Sequence, residues 1–311
     1  MYRLVVDTGS SNTWVGASEG TRYSPTSTSR NTTNNFNITY GSGSVTGKEY
    51  VDQVSLGSLV IPGQSIGVAN QSKGFDEFDG ILGLGPAELT NGTLHPDDRA
   101  IVNTVVDNAF KSGLIPSDTF GIYIPHSDAP SPVTVGEISF GGADDSKYTG
   151  EITYVSITNT STASKFWGIN ATFAYGTTLL GNRAGIVDTG TTLLLLADDW
   201  LQMIKEATGA TTDGSSNLLC VSSSTVLQNL TITIGSQNFT LTPQQYTVPP
   251  GYYPDLGISS QPENAKKYLW FHSLGHDDDP GIDFILGLKF LEHYYSVYDI
   301  ANRRVGLATA I

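Results

Sequence analysis

The tripeptide Asp-Thr-Gly occurs twice, as Asp7-Thr8-Gly9 in "LVVDTGSS" and as Asp188-Thr189-Gly190 in "IVDTGTT". Each copy ends an aliphatic run and is followed by hydroxyl residues. A single copy arises by chance in about one chain of this length in ten to twenty. Two copies in matched surroundings point to an internal repeat, and the match extends further. Ile81-Leu82-Gly83, within "FDGILGLG", follows Asp7 by 74 positions, and Ile285-Leu286-Gly287, within "DFILGLKF", follows Asp188 by 97. Each half therefore reads as a strand, an Asp-Thr-Gly loop, several strands, then an aliphatic-aliphatic-glycine strand and a helix. Glycine after two aliphatics lets another backbone pass where a side chain would block it.

Between these landmarks, short runs of Val, Ile, Thr, Tyr and Phe alternate with Gly, Asn, Asp, Ser and Pro about every eight to twelve residues, the pattern of an all-β protein. The 311 residues suffice for two domains, and the repeat divides them into 1–148 and 149–311. Helices are few. Apolar spacing predicts one over 98–111 ("DRAIVNTVVDNAFK"), a second over 198–207 with Gly209 just beyond it, and a short third over 287–294. None carries residues that look catalytic. No apolar run approaches the roughly 20 residues of a membrane span, so no membrane partner is expected.

The formal charge of −14, from 30 acidic and 16 basic residues, argues against nucleic acid as a partner, because that role needs a basic footprint. The scarcity of bases also suits work in acid. Once the carboxylates protonate, few positive charges remain to repel one another. Eight Asn-x-Ser/Thr sequons begin at Asn31, Asn37, Asn70, Asn91, Asn159, Asn170, Asn229 and Asn238, a density that suggests a secreted glycoprotein; the vacuole is the lesser alternative. Cys220 stands alone, and its expected role is that of a small buried apolar residue.

The remaining chemistry-bearing residues form no recognisable set. The five histidines make no zinc-binding or triad-like motif. "GHDDDPG" at 275–281 reads as a solvated acidic loop rather than a metal site. No phosphate loop or dinucleotide fingerprint is present. Neither metal nor cofactor is expected. A rival reading is a carbohydrate- or protein-binding β-protein in which the two Asp-Thr-Gly loops are ordinary Asx-type turns; the duplicated context weighs against it.

Five stretches in order, "VVDTGSSNTWVG", "ITYGSGSVTGK", "FDGILGLG", "IVDTGTTLLLL" and "HYYSVYDIANRRVGLA", resemble the pepsin-like aspartic proteases over essentially the whole chain. The approach to the second stretch, "TSTSRNTTNNFNITYGSGS", is more like fungal members than vertebrate ones. The resemblance implies an all-β, bilobal fold: two β-rich, closed-barrel-like lobes related by a pseudo-twofold axis, a central cleft and a few short helices. It also implies a monomer, because both half-sites lie in one chain, unlike the homodimeric retroviral type. Members carry a longer segment before the first motif than the six residues found here, so a leading strand is expected to be missing from this sequence.

Activity of this type is endoproteolysis in acid. Hydrolysing an amide without a metal or a nucleophilic side chain needs a base to activate water and an acid to polarise the carbonyl. Two carboxyl groups sharing one proton supply both, which assigns Asp7 and Asp188 jointly as the catalytic pair. Gly9 and Gly190 permit tight loops, and Ser10 and Thr191 can donate to the outer oxygens of the aspartates. By the resemblance, Thr8 and Thr189 interlock between the lobes. Tyr40-Gly41-Ser42 form the tip of a flap, with Tyr40 bonded toward Trp14 and the backbone of Gly41 and Ser42 pairing with substrate. Phe78, Ile81 and Thr192 complete the substrate-binding set. Ser42 cannot form an ion pair with a substrate lysine, so hydrophobic residues are expected around the scissile bond. Partners are then protein or peptide substrates and pepstatin-type inhibitors. The competing reading is an inactive pepsin-like module that binds peptides or proteins.

Overall fold

The computed structural model describes residues 1–17, 21–75, 77–130, 136–258, 266–275 and 281–311. They fall into two compact units, Met1–Phe120 with Phe140–Gly142, and Gly121–Ser139 with Ala143–Ile311. Residues 276–280 of the acidic "GHDDDPG" stretch lie outside the described residues.

The first unit builds one sheet from β1 (Leu4–Asp7), β2 (Trp14–Val15), β3 (Arg30–Tyr40), β4 (Gly43–Leu56), β5 (Leu59–Lys73), β6 (Gly80–Gly83) and β7 (Leu94–His95). Their order is β1-β6-β2-β5-β4-β3-β7. β6 has β1 parallel on one side and β2 antiparallel on the other, and all four of its residues are buried. A strand enclosed in this way reads as a continuous apolar run, and "GILG" does. β3, β4 and β5 form a long antiparallel meander. Its inward positions supply Phe36 and Val45 to a core with Trp14, Phe75, Ile81 and Leu94.

β4 also carries two buried carboxylates. Glu49, 5% exposed, accepts hydrogen bonds from Ser65 Oγ, Thr32 Oγ1 at 2.7 Å and Asn34 Nδ2 at 2.9 Å. Asp52, also 5% exposed, accepts from Tyr23 Oη at 2.6 Å, Ser29 Oγ at 2.7 Å, Thr28 Oγ1 and the Gln53 amide at 2.7 Å. These donors are neutral, so the segment from Tyr23 to Ser29 is held to the sheet without an ion pair.

The helix expected over 98–111 is shorter. α1 spans Val105–Lys111, and Thr104 is its N-cap in a capping box with Asp107. The preceding residues have other partners: the Asp98 carbonyl accepts from Gly92, the Val102 amide donates to Thr90 Oγ1, and the Asn103 carbonyl accepts from Gln64. Backbone groups engaged in this way cannot enter a helical ladder, and the cap fixes the start.

In the second unit β8 (Thr119–Tyr123), where the chain enters from the first, joins β9 (Glu137–Phe140), β10 (Tyr148–Ser156), β21 (Tyr294–Asp299) and β22 (Arg304–Ala310) in the order β10-β22-β21-β8-β9. A seven-stranded sheet is made of β11 (Gly168–Tyr175), β12 (Thr178–Val187), β13 (Leu194–Leu196), β16 (Leu230–Ile234), β17 (Gln237–Leu241), β19 (Phe271–Ser273) and β20 (Phe284–Leu286), ordered β17-β16-β11-β12-β20-β13-β19. β14 (Thr211–Thr212), β15 (Leu219–Ser222) and β18 (Lys266–Leu269) form a third, small sheet.

The helices of this unit are α2 (Asp198–Thr208), α3 (Pro243–Tyr246) and α4 (Leu288–Leu291). α2 ends one residue beyond expectation, at a left-handed Gly209 with φ +69°. α4 is shorter than the 287–294 expected, because Tyr294 already pairs with Thr309 in the β21–β22 ladder. Phe173 packs against both Trp200 and Phe284. Cys220 is a free thiol, 2% exposed, and packs with Leu218, Val248, Tyr268 and Trp270.

Candidate active site

The two Asp-Thr-Gly loops are built alike, each from the residues of its own unit. Asp7 closes β1, in register with Gly83 of the parallel β6, and is 7% exposed. Its Oδ1 accepts the Gly9 amide at 2.8 Å and its Oδ2 the Ser10 hydroxyl at 2.5 Å. Asp188 follows β12, whose Val187 pairs with Leu286 of the parallel β20, and is 8% exposed. Its Oδ1 accepts the Gly190 amide at 2.8 Å and its Oδ2 the Thr191 hydroxyl at 2.7 Å. In both loops the amide two residues on and the hydroxyl three residues on fix the two carboxylate oxygens. The carboxylate plane is thereby set by groups that fold with it.

The glycine of each aliphatic-aliphatic-glycine strand sits where its loop returns. A Cβ on Gly83 would lie 2.4 Å from the Ser11 carbonyl carbon and 2.7 Å from the Asn12 amide nitrogen. A Cβ on Gly287 would lie 2.3 Å from the Leu193 oxygen and 2.4 Å from the Thr191 oxygen. Beyond these glycines the chain supports the loops through its backbone. The Leu84 amide donates to the Asp7 carbonyl at 2.7 Å and Gly85 to Ser10 at 2.8 Å. In the second unit Leu288 donates to Thr191 at 2.8 Å and Lys289 to Thr192 at 3.0 Å.

Tyr40 and Gly43 pair across the turn that joins β3 to β4, so Gly41 and Ser42 form the exposed tip of the hairpin. The Trp14 indole N–H donates to Tyr40 Oη at 2.9 Å. Burial pushes the Tyr40 phenol up, the Trp14 hydrogen bond opposes this, and the Asp7 charge raises it again. That interaction links the hairpin electrostatically to the first Asp-Thr-Gly loop. Phe75 meets both aromatics edge-on, with ring centroids 5.1 Å from Trp14 and 5.5 Å from Tyr40.

Sequence reasoning missed Phe75; its signal was an aromatic residue beside "FDGILGLG". Ile81, 3% exposed, lies in the core with Trp14 and Phe75. Phe78, by contrast, is 42% exposed. Thr8 and Thr189 are buried, and Thr192 is exposed.

Known proteins resemble the chain over its whole length. The sequence model of the family described as eukaryotic aspartyl protease matches residues 1–310. Polyporopepsin from Irpex lacteus is 50% identical, covering 99% of this chain and 90% of its own. Gastricsin from Mus musculus is 31% identical over 100% of this chain and 78% of its own. Cathepsin E from Mus musculus is 32% identical over 100% and 77%. The crystal structure of an aspartic proteinase from Irpex lacteus superimposes with a TM-score of 0.94 at 49% identity, covering 99% of this chain and 90% of that one. The fold is the all-β, bilobal pepsin-like fold, and both Asp-Thr-Gly loops are intact, which leaves the inactive reading without support. The chain belongs to the eukaryotic aspartyl proteases and is an aspartic-type endopeptidase.

Proposed function

We propose that Asp7 and Asp188 form one catalytic dyad that hydrolyses peptide bonds in acid, preferring hydrophobic residues around the cut. The observation that carries this reading is the matched support of the two carboxylates, amide to Oδ1 and hydroxyl to Oδ2 in each loop. Two carboxyl groups held about 3 Å apart cannot both ionise, so the pair keeps one proton, as aspartic protease dyads do. The ionised member takes a proton from water as its oxygen attacks the scissile carbonyl carbon. The protonated member gives its proton to the carbonyl oxygen. The resulting gem-diol collapses when the dyad returns a proton to the amide nitrogen; the C–N bond breaks, leaving a carboxylic acid and an amine. The titration belongs to the pair, not to either aspartate.

Tyr40, backed by Trp14 and Phe75, supplies an aromatic wall for a side chain next to the scissile bond. Phe78 and Thr192 present exposed surface toward substrate, and Ile81 stiffens the wall from the core. Thr8 and Thr189, each buried in its own unit, back the two loops. The hairpin tip at Gly41 and Ser42 lies over the peptide, pairs with its main chain as an added strand would, and excludes water. Substrates are proteins and peptides in extended form, and pepstatin-type peptides occupy the same groove. The protein works as a secreted, glycosylated monomer. All eight sequon asparagines are exposed, and no helix among the described residues is long and apolar enough to cross a membrane.

The test is cleavage of an acid-denatured protein at about pH 3 to 5, with and without pepstatin, with the cut sites sequenced. Cleavage blocked by pepstatin and clustered between hydrophobic residues is the expected result. Pepstatin-insensitive cleavage would overturn the dyad assignment, and cuts clustered at lysine would overturn the specificity.

A further inference from the structure

We propose that His126, Glu292 and His293 form a binding site for a zinc-type divalent ion. His126 lies in the segment after β8, and Glu292 and His293 follow α4 directly. One ligand atom from each of the three lies within 4.8 Å of the others. His126 Nδ1 is 3.1 Å from Glu292 Oε2, and the two imidazole rings lie 4.9 Å apart at 35°.

Three features set this cluster apart from an ordinary hydrogen-bonded surface group. His293 Nε2 is buried and has no hydrogen-bond partner, and a buried ring nitrogen in that state is costly unless a cation or water takes its lone pair. His126 Nε2 is 3.2 Å from Asp128 Oδ1. A metal-bound histidine characteristically donates its second N–H to a carboxylate in this way, which leaves the other nitrogen for the ion. Finally, a proton must sit between His126 Nδ1 and Glu292 Oε2 when no metal is present, and a cation can replace that proton.

A tetrahedral ion with bonds of 2.0–2.1 Å needs donors about 3.3 Å apart. The His126–Glu292 pair already has about that spacing; His293, whose ligand atom lies within 4.8 Å of the other two, completes three ligands by closing in by up to about 1.5 Å, with water as the fourth. Two imidazoles and one carboxylate suit zinc, whereas calcium and magnesium want oxygen throughout.

The surrounding charges leave one oxygen of Glu292 for the ion. Lys289 Nζ holds Oε1 at 2.7 Å and is itself kept over the rings of Tyr252 and Trp270, at 4.4 and 4.8 Å. It therefore orients the carboxylate while Oε2 stays turned toward His126. Tyr252 Oη also donates to the Ser127 carbonyl at 3.2 Å, which fixes the loop carrying His126. The role is structural. The ion ties that loop to the end of α4, whose first two amides support the carbonyls of Thr191 and Thr192.

The test is calorimetric titration of the whole chain with zinc chloride at about pH 7, where imidazole is available to metal. The expected result is one saturable site, weakened on the order of tenfold or more in His126→Ala and in Glu292→Gln. His126 is exposed, so the His126→Ala variant keeps the fold, which circular dichroism checks. His95→Ala and His272→Ala serve as controls and should bind as the parent does. Absence of saturable binding, or equal binding by His126→Ala, Glu292→Gln and the parent, would overturn the proposal. Neither outcome bears on proteolysis.

Discussion

Replacing Asp52 by Asn should destabilise the first unit in a way that fades with acid. Burial opposes ionisation of this carboxyl, but hydrogen bonds from Thr28, Tyr23, Ser29 and the Gln53 amide outweigh it and hold the group well below its ordinary value of 3.8. A hydrogen bond to a charged group contributes about 1.5–3 kcal/mol, and bonds to one carboxylate are not additive. Asparagine keeps one acceptor oxygen, and the hydroxyls can turn to accept from its NH2, so the expected cost is about 2–3 kcal/mol near neutrality. The pKa is depressed in the folded state. The stabilisation is therefore complete above the unfolded value and lost as pH falls through the folded one. Urea unfolding of parent and Asp52→Asn at about pH 6, 4 and 2 should show a constant gap between the first two and a narrower one at the last. A second signature is Tyr23, whose phenol is pushed up to about 12 by burial and by its bond to Asp52. In the variant it should titrate lower. A gap under about 0.5 kcal/mol at pH 6, or one that widens in acid, would refute the reasoning.

Gly83→Ala should abolish proteolysis while leaving the second unit folded, because its Cβ would meet the Ser11 and Asn12 backbone; peptide hydrolysis alongside near-ultraviolet circular dichroism checks both. Trp14→Phe keeps the packing against Phe75 but removes the bond to Tyr40. It should lower kcat/KM about five- to tenfold, equivalent to about 1–1.4 kcal/mol, in steady-state assays with a peptide carrying an aromatic residue at the cut. Thr104→Ala removes the capping box of α1 and should cost about 1 kcal/mol in urea unfolding without changing kcat.

The parts of the site that are local in sequence were legible there. A strand, a carboxylate, a glycine and a hydroxyl within five residues dictate the hydrogen bonds seen at Asp7 and Asp188. The glycines at 83 and 287, each placed after two aliphatics, signal a close backbone approach. What depends on distant partners was not legible. Helical spacing over 98–111 was real, but the backbone around residues 98–103 is claimed by Gly92, Thr90 and Gln64, and no periodicity reports such competition. Phe75 joins Trp14 and Tyr40 only because β2, β3 and β5 share one sheet. His126 and Glu292, 166 positions apart, matched no metal motif because the β8 segment and α4 bring them together only in the fold. No motif marks Asp52, and three of its donors, Tyr23, Thr28 and Ser29, reach it only because residues 23–29 lie over β4.

The most direct test of the shared dyad compares turnover of Asp7→Asn and Asp188→Asn with the parent on one peptide at about pH 4. Each amide keeps the shape of its loop but can neither accept the proton of water nor share one with its partner. If the two carboxyl groups act as a unit, either substitution alone should lower kcat by a factor of about a thousand or more, and the double variant should lose little beyond that. Turnover within about tenfold of the parent in either single variant, or losses that simply multiply in the double, would contradict a dyad made of Asp7 and Asp188.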